Sequence, residues 1–228
     1  MGGFGFYGGK GVPGIKPEEL KGKLIVLEGT DGVGRSTHIG LLKLWLENNG
    51  HAVLDTGMTR SALAGEGLKS AKAGHTLGRM TMTLFYATDF ADRLENEIIP
   101  ALRAGFVVLT DRYIFSLMAR AIARGEDRPW IERVASFALE PHAIYYLRAE
   151  VRDLVPRVVL GRGAFDHWES GMDMRFGMDM HDSFVKYQTR VIHALDRMAK
   201  RYNFVIIDAT KTPDQIFREL QRSIGKLF

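Results

Sequence analysis

The chain has 228 residues, 46% of them apolar and 25% charged, enough to bury one sizeable core and typical of a globular domain with an insertion. It has no apolar run of 18 residues, which argues against a membrane partner, and no charged start leading into an apolar stretch, which argues against a secretory signal. Cysteine is absent, which excludes disulfides and thiolate chemistry and fits a cytoplasmic location; the 31 Lys plus Arg against 27 Asp plus Glu are scattered, so no nucleic acid partner is expected.

Residues 1–20 hold seven glycines with Phe4, Phe6 and Tyr7 between them, and read as an irregular leader that its aromatics could pack down. The main domain then runs over 21–228. Leu24-Ile25-Val26-Leu27 is apolar without alternation, as in a strand buried on both faces. A glycine-rich turn follows, then a helical pattern over 36–49 that stops at Gly50. Further strands are expected at 51–55, 106–109, 143–147 and 204–207, with helices over 77–104, 129–139, 179–201 and 213–224. This alternation predicts an α/β three-layer sandwich, a five-stranded parallel sheet with helices on both faces and ligands at the carboxyl ends of the strands.

The turn after the first strand carries the strongest signal. Gly29-Thr30-Asp31-Gly32-Val33-Gly34-Arg35-Ser36 fits G-x-x-x-x-G-K-[ST] except that arginine replaces lysine. Such glycines let backbone N–H groups turn inward around an anion, and the next helix adds its positive end. Arg35 would neutralise the β- and γ-phosphates of a nucleoside triphosphate, and the Ser36 hydroxyl would reach a magnesium ion. Asp111-Arg112-Tyr113 follows the third strand directly, placing a carboxylate for magnesium and a guanidinium for a second phosphate in the same crevice.

From Lys23 to Ile224 the chain resembles the thymidylate kinase family of P-loop nucleoside monophosphate kinases. The run from Glu28 to Thr37 is similar to that family's phosphate loop, including an acidic residue, Asp31, at the acceptor sugar. Thr59-Arg60 resembles the segment whose arginine holds the acceptor phosphate. Asp111-Arg112-Tyr113 with Ser116 and Ala119 is similar to its Asp-Arg-Tyr-x-x-Ser-x-x-Ala run. Tyr86 stands where an aromatic stacks on the acceptor base. Arg157, Arg162, Asp166 and Glu169 follow the order of the family's lid, here about 157–175, whose arginines close over the donor phosphates. Tyr187 matches a family tyrosine in the next helix, and Ile206 to Ala209 the turn bordering the adenine.

The resemblance implies ATP and magnesium as cofactors, a nucleoside monophosphate acceptor with dTMP the leading candidate, and a homodimer formed through helices such as 77–102. Arg35, Asp111, Arg112, Arg157 and Arg162 become the catalytic candidates. Asp31, Arg60, Tyr86, Phe90, Arg112, Tyr113 and Arg120 become the acceptor-binding ones. Departures stand beside the matches. Phe90 occupies the place of the arginine that reads the thymine edge, with Arg93 one turn further on; Arg120-Ala121 replaces a Tyr-Gln pair; Arg148 replaces an aspartate, and His167 a lid arginine. These leave two other readings open, a kinase for a different phosphate acceptor and a catalytically weak nucleotide-binding regulator.

Overall fold

The computed structural model describes residues 4–9, 11–74 and 77–228, and of Arg162 the backbone alone. Its centre is a parallel five-stranded sheet built from β1 (Lys23–Gly29), β2 (Val53–Gly57), β3 (Val107–Asp111), β4 (Ala143–Arg148) and β5 (Val205–Asp208), in the order β2-β3-β1-β4-β5. Alternate residues of each central strand feed two separate cores. Leu24, Val26, Val108, Ile144 and Tyr146 face one layer, while Ile25, Leu27, Val107, Leu109, Tyr145 and Leu147 face the other. That two-sided burial is why these strands read as unbroken apolar runs.

The first layer holds α3 (Arg79–Arg93), α5 (Ile114–Ala123), α6 (Arg128–Val134) and α8 (Met180–Arg201). The second holds α1 (Arg35–Asn48), α7 (Val151–Arg162) and α9 (Pro213–Ile224). The chain order reverses on either side of β1, so the crevice for a ligand opens beyond its carboxyl end. In register, Leu27 lies beside Asp111, Asp111 beside Gly57, and Gly29 beside Leu147. The phosphate-loop candidate and the Asp111 turn therefore leave the sheet side by side.

Three strands begin later than their sequence predicts, for one shared reason. The amides of His51, Phe106 and Phe204 donate to the carbonyls of Leu46, Ala101 and Ala199, each closing the preceding helix across a left-handed residue (Gly50, Gly105 and Asn203). These six-to-one bonds claim the first residue of each run for a helix cap, and the sheet ladder starts only after it. The expected long helix over 77–104 is three pieces: α3, a π turn at Leu94–Ile98, and α4 (Ile99–Arg103) with Pro100 in its first turn, where a missing N–H costs nothing. The helices α2 (Gly65–Ala73), α5 and α7 fall outside the ranges predicted. The segment expected at 129–139 stops at Val134, after starting on the side chain of Asp127, which accepts from the Trp130 amide.

Residues 4–9 lie against the segment before β4 and the end of α8. Phe6 bridges Leu139, the Tyr7 and Gly8 amides donate to Ala138 and Ser136, and the Tyr7 ring meets Phe115 and Tyr202 edge-on. Phe4 sits 4.5 Å from His142.

Candidate active site

Two clusters lie beyond the carboxyl end of β1. The first is the turn from β1 into α1. Gly29 has φ 149°, and a Cβ there would stand 2.7 Å from the Leu147 carbonyl; Gly32 has φ 80°, and a Cβ would strike Val158. Only glycine fits these two positions. Gly34 opens α1 in the left-handed conformation, with no side chain capping the first turn, which leaves helix N–H groups for an anion.

Arg35 lies largely buried under this loop. Its Nε donates to Asp111 Oδ1 at 2.7 Å, and its Nη1 to the Gly29 carbonyl at 2.7 Å and to the Thr30 carbonyl. A lysine could not make this forked set of contacts; the planar guanidinium stitches the loop to β3. Ser36 Oγ donates to Asp111 Oδ2 at 2.8 Å. Burial alone would raise the Asp111 carboxyl, but Arg35 and Arg112 outweigh it and hold it below the usual range. An ionised carboxylate beside a hydroxyl is the hard-oxygen pairing that suits magnesium.

Asp31 centres the second cluster. Arg112 Nη2 donates to it, as does Arg120 Nη2 at 2.8 and 3.1 Å, while Gln188 Nε2 lies 3.5 Å away. Arg112 has a left-handed backbone, φ 71°, fixed by its own amide donating to Leu27 and by Thr110 Oγ1 donating to its carbonyl. Such strain at a non-glycine residue is tolerated where the surroundings over-determine it. Burial pulls the Arg112 guanidinium below its ordinary range, with Arg35 adding to the effect, whereas for Arg120 the Asp31 charge overcomes burial and raises it. Tyr86 is buried beside this cluster, with Lys72 5.2 Å from its ring centre. Burial would raise its phenol, but Arg120 and Lys72 bring it below the ordinary value.

Other expected site residues lie elsewhere. Arg157 donates to the Ala209 carbonyl at 2.8 Å and lines a cavity of about 310 Å³ with Gly32, Val33, Gly34, Thr37 and Pro213, on the α1 side of the loop. Arg60 is turned outward, 44% exposed, and pairs with Asp55 at 2.8 Å. Tyr113 and Phe90 depart from their expected place among acceptor contacts: they meet edge-on in the core at 4.8 Å, with the Tyr113 hydroxyl donating to Leu139. The reason is the Glu28 carboxylate, which accepts from the Tyr113 amide at 2.8 Å and turns the chain so that Arg112 faces the crevice and Tyr113 the interior. Arg93 does not replace the missing edge-reading arginine; it is buried against Asp89, whose oxygens accept from the Thr59 and Ser61 amides. The side chain of Arg162 lies outside the described residues.

Sequence reasoning missed Gln188 and Arg124. Arg124 bonds both Asp173 oxygens, the Trp168 carbonyl and the Tyr187 hydroxyl, tying residues 168–173 to the end of α5. No local pattern marks it, since its partners are all more than forty positions away.

A parallel sheet with a glycine-rich turn after β1, a hydroxyl–carboxylate pair and a second arginine cluster across the crevice is the architecture of a P-loop phosphotransferase. The family model for thymidylate kinase matches residues 27–220. Over 208 residues the chain is 33% identical to "Probable thymidylate kinase 2" of Saccharolobus solfataricus, covering 91% of this chain and 97% of that protein. It is 30% identical to "Probable thymidylate kinase" of Pyrococcus horikoshii, over 88% and 95% of the two chains, and 31% identical to "Thymidylate kinase" of Brachyspira hyodysenteriae, over 66% and 75%. The chain belongs to the thymidylate kinase family, and is a nucleoside monophosphate kinase.

Proposed function

We propose that the chain transfers the γ-phosphoryl group of ATP to the 5′-phosphate of dTMP. The observation that carries this reading is the pairing of two arginine–carboxylate clusters across one crevice, Arg35 with Ser36 and Asp111 on one side, Arg112 and Arg120 around Asp31 on the other. Ser36 and Asp111 would hold a magnesium ion, which when bound supplies charge neutralisation to the phosphoryl group in transfer. The loop amides and Arg35 hold the donor phosphates; Gly32, Val33, Gly34 and Thr37 shape their approach. Arg112 holds the acceptor phosphate, and Asp31 sets the guanidinium plane while facing the sugar. Tyr86 offers its ring to the base. Arg60 joins the acceptor side only by leaving Asp55, and Arg157 and Arg162 come with a lid over about 157–175. The acceptor phosphate is already anionic at neutral pH, so positioning and electrostatics supply most of the rate.

A different acceptor or a regulatory role is less favoured, because relatives matched over nearly their whole length are named as probable thymidylate kinases and both clusters are present. Among the described residues no helix is long and apolar enough to cross a membrane; a cytoplasmic location fits the absence of cysteine. The test is ADP release with magnesium ATP across a panel of nucleoside monophosphates. Release is expected to be strongest with dTMP and to fall by about 10²–10³-fold in Arg112→Ala; equal release with every acceptor, or with none, sinks the assignment.

A further inference from the structure

The Asp31 cluster is incomplete as it stands. Gln188, on α8, is only 1% exposed. Its Nε2 donates to the Glu169 carbonyl at 2.7 Å and lies 3.5 Å from Asp31 Oδ2. Both neighbours are acceptors, so the amide nitrogen must face them and Oε1 must point the other way. There Oε1 is sealed from bulk solvent and meets no donor among the described residues. Arg112 Nε, on the other flank of the same carboxylate, is also buried with no acceptor among the described residues. Buried polar atoms are nearly always paired, and one open acceptor and one open donor on side chains that share a carboxylate ask for a ligand that brings one of each. A nucleoside monophosphate does so: a phosphate oxygen for Arg112, and a hydroxyl or ring N–H for Gln188.

We propose that Gln188 contacts the acceptor nucleotide directly, its side-chain carbonyl accepting a hydrogen bond from a hydroxyl or ring N–H of the nucleoside. The same side chain holds the Glu169 carbonyl, so the segment after α7 and the acceptor are read by one amide. This inference rests on the acceptor reading above.

Calorimetric binding of three ligands tests it: dTMP, its 3′-deoxy analogue, and its N3-methyl analogue. The wild-type chain is expected to bind one analogue about tenfold more weakly than dTMP, the loss of one buried hydrogen bond. In Gln188→Met that penalty shrinks to under about twofold. The analogue affected tells whether the partner is the hydroxyl or the ring N–H. A purely structural Gln188 would shift all three affinities together and leave the penalties unchanged between wild type and variant, which overturns the proposal, as does a wild type that discriminates neither analogue. Gln188→Asn, which keeps an amide but withdraws its carbonyl by one methylene, carries the same expectation if the methionine variant does not fold. Failure of the wild type to bind dTMP overturns the acceptor reading itself, and the Gln188 assignment with it.

Discussion

Arg35 shows how one substitution within a motif reshapes a site without abolishing it. A lysine in a phosphate loop is a compact point charge, free to reach an anion. The guanidinium here divides its donors between Asp111 and two loop carbonyls, so part of its charge is spent on holding the loop in shape. Arg35→Ala leaves the Asp111 carboxylate buried without its closest cation, so both stability and rate should fall. The expected losses are about 3–5 kcal/mol in unfolding free energy and about 10²–10³-fold in kcat, checked by denaturant titration and steady-state kinetics. Arg35→Lys restores a charge but not the fork, and should fall between alanine and wild type in both measurements. Arginine at this position was visible in the sequence; its pairing with Asp111 was not, because the two are 76 residues apart.

At the scale of elements, the DRY turn depends on a carboxylate from another strand. Tyr113 opens α5 with no capping side chain of its own. Glu28, buried at the end of β1, accepts from the Tyr113 and Ser116 amides at 2.8 and 3.2 Å and from the Ser116 hydroxyl at 2.5 Å. Burial raises its carboxyl despite these donors. A glutamine can keep one oxygen on the two amides while the hydroxyl turns to accept, so Glu28→Gln should cost under about 1 kcal/mol. Glu28→Leu orphans all three donors and should cost several times more, about 2–5 kcal/mol, read from chemical denaturation. Retention of stability in the leucine variant would show that the turn is held by packing alone.

For the molecule as a whole, two properties concern surfaces and seams rather than the site. His142 sits where the leader meets β1, its Nδ1 accepting from the Leu24 amide, and burial with Lys23 nearby brings its pKa down to about 4. The folded value lies below the unfolded value of about 6.5, so the unfolded chain takes up its proton first. Stability from this residue is complete above about 6.5 and is lost as pH falls toward about 4. His142→Gln should flatten the pH dependence of unfolding in that window, measured by thermal midpoints across a buffer series. The second property is the outer face of α3. Met80, 59% exposed, and Leu84, 44% exposed, share a helical stripe with Ala87 and Ala91, a face that fits the homodimer implied by the family. Sedimentation should give a dimer for the wild type and a monomer for Leu84→Lys; a monomeric wild type removes this proposal.

The sequence by itself determined the parallel α/β sheet, the glycine-rich turn and the Asp111-Arg112 pair, because each depends on a short run of neighbours: apolar blocks, glycine spacing, a carboxylate at a strand end. Helix starts were legible where a cap is local, as at α9, whose Thr212 and Gln215 form a reciprocal cap. Strand starts were displaced because the caps that claim His51, Phe106 and Phe204 are made by backbone bonds that no side chain announces. The tertiary structure alone decided which way the residues of the turn after β3 face, since Glu28 sends Tyr113 inward and Arg112 toward Asp31. It alone brought Arg120 and Gln188 to the same carboxylate, across 89 and 157 positions of sequence. Hydrogen bonds act over about 3 Å of space whatever the separation along the chain, so these partners exist only once the helices pack.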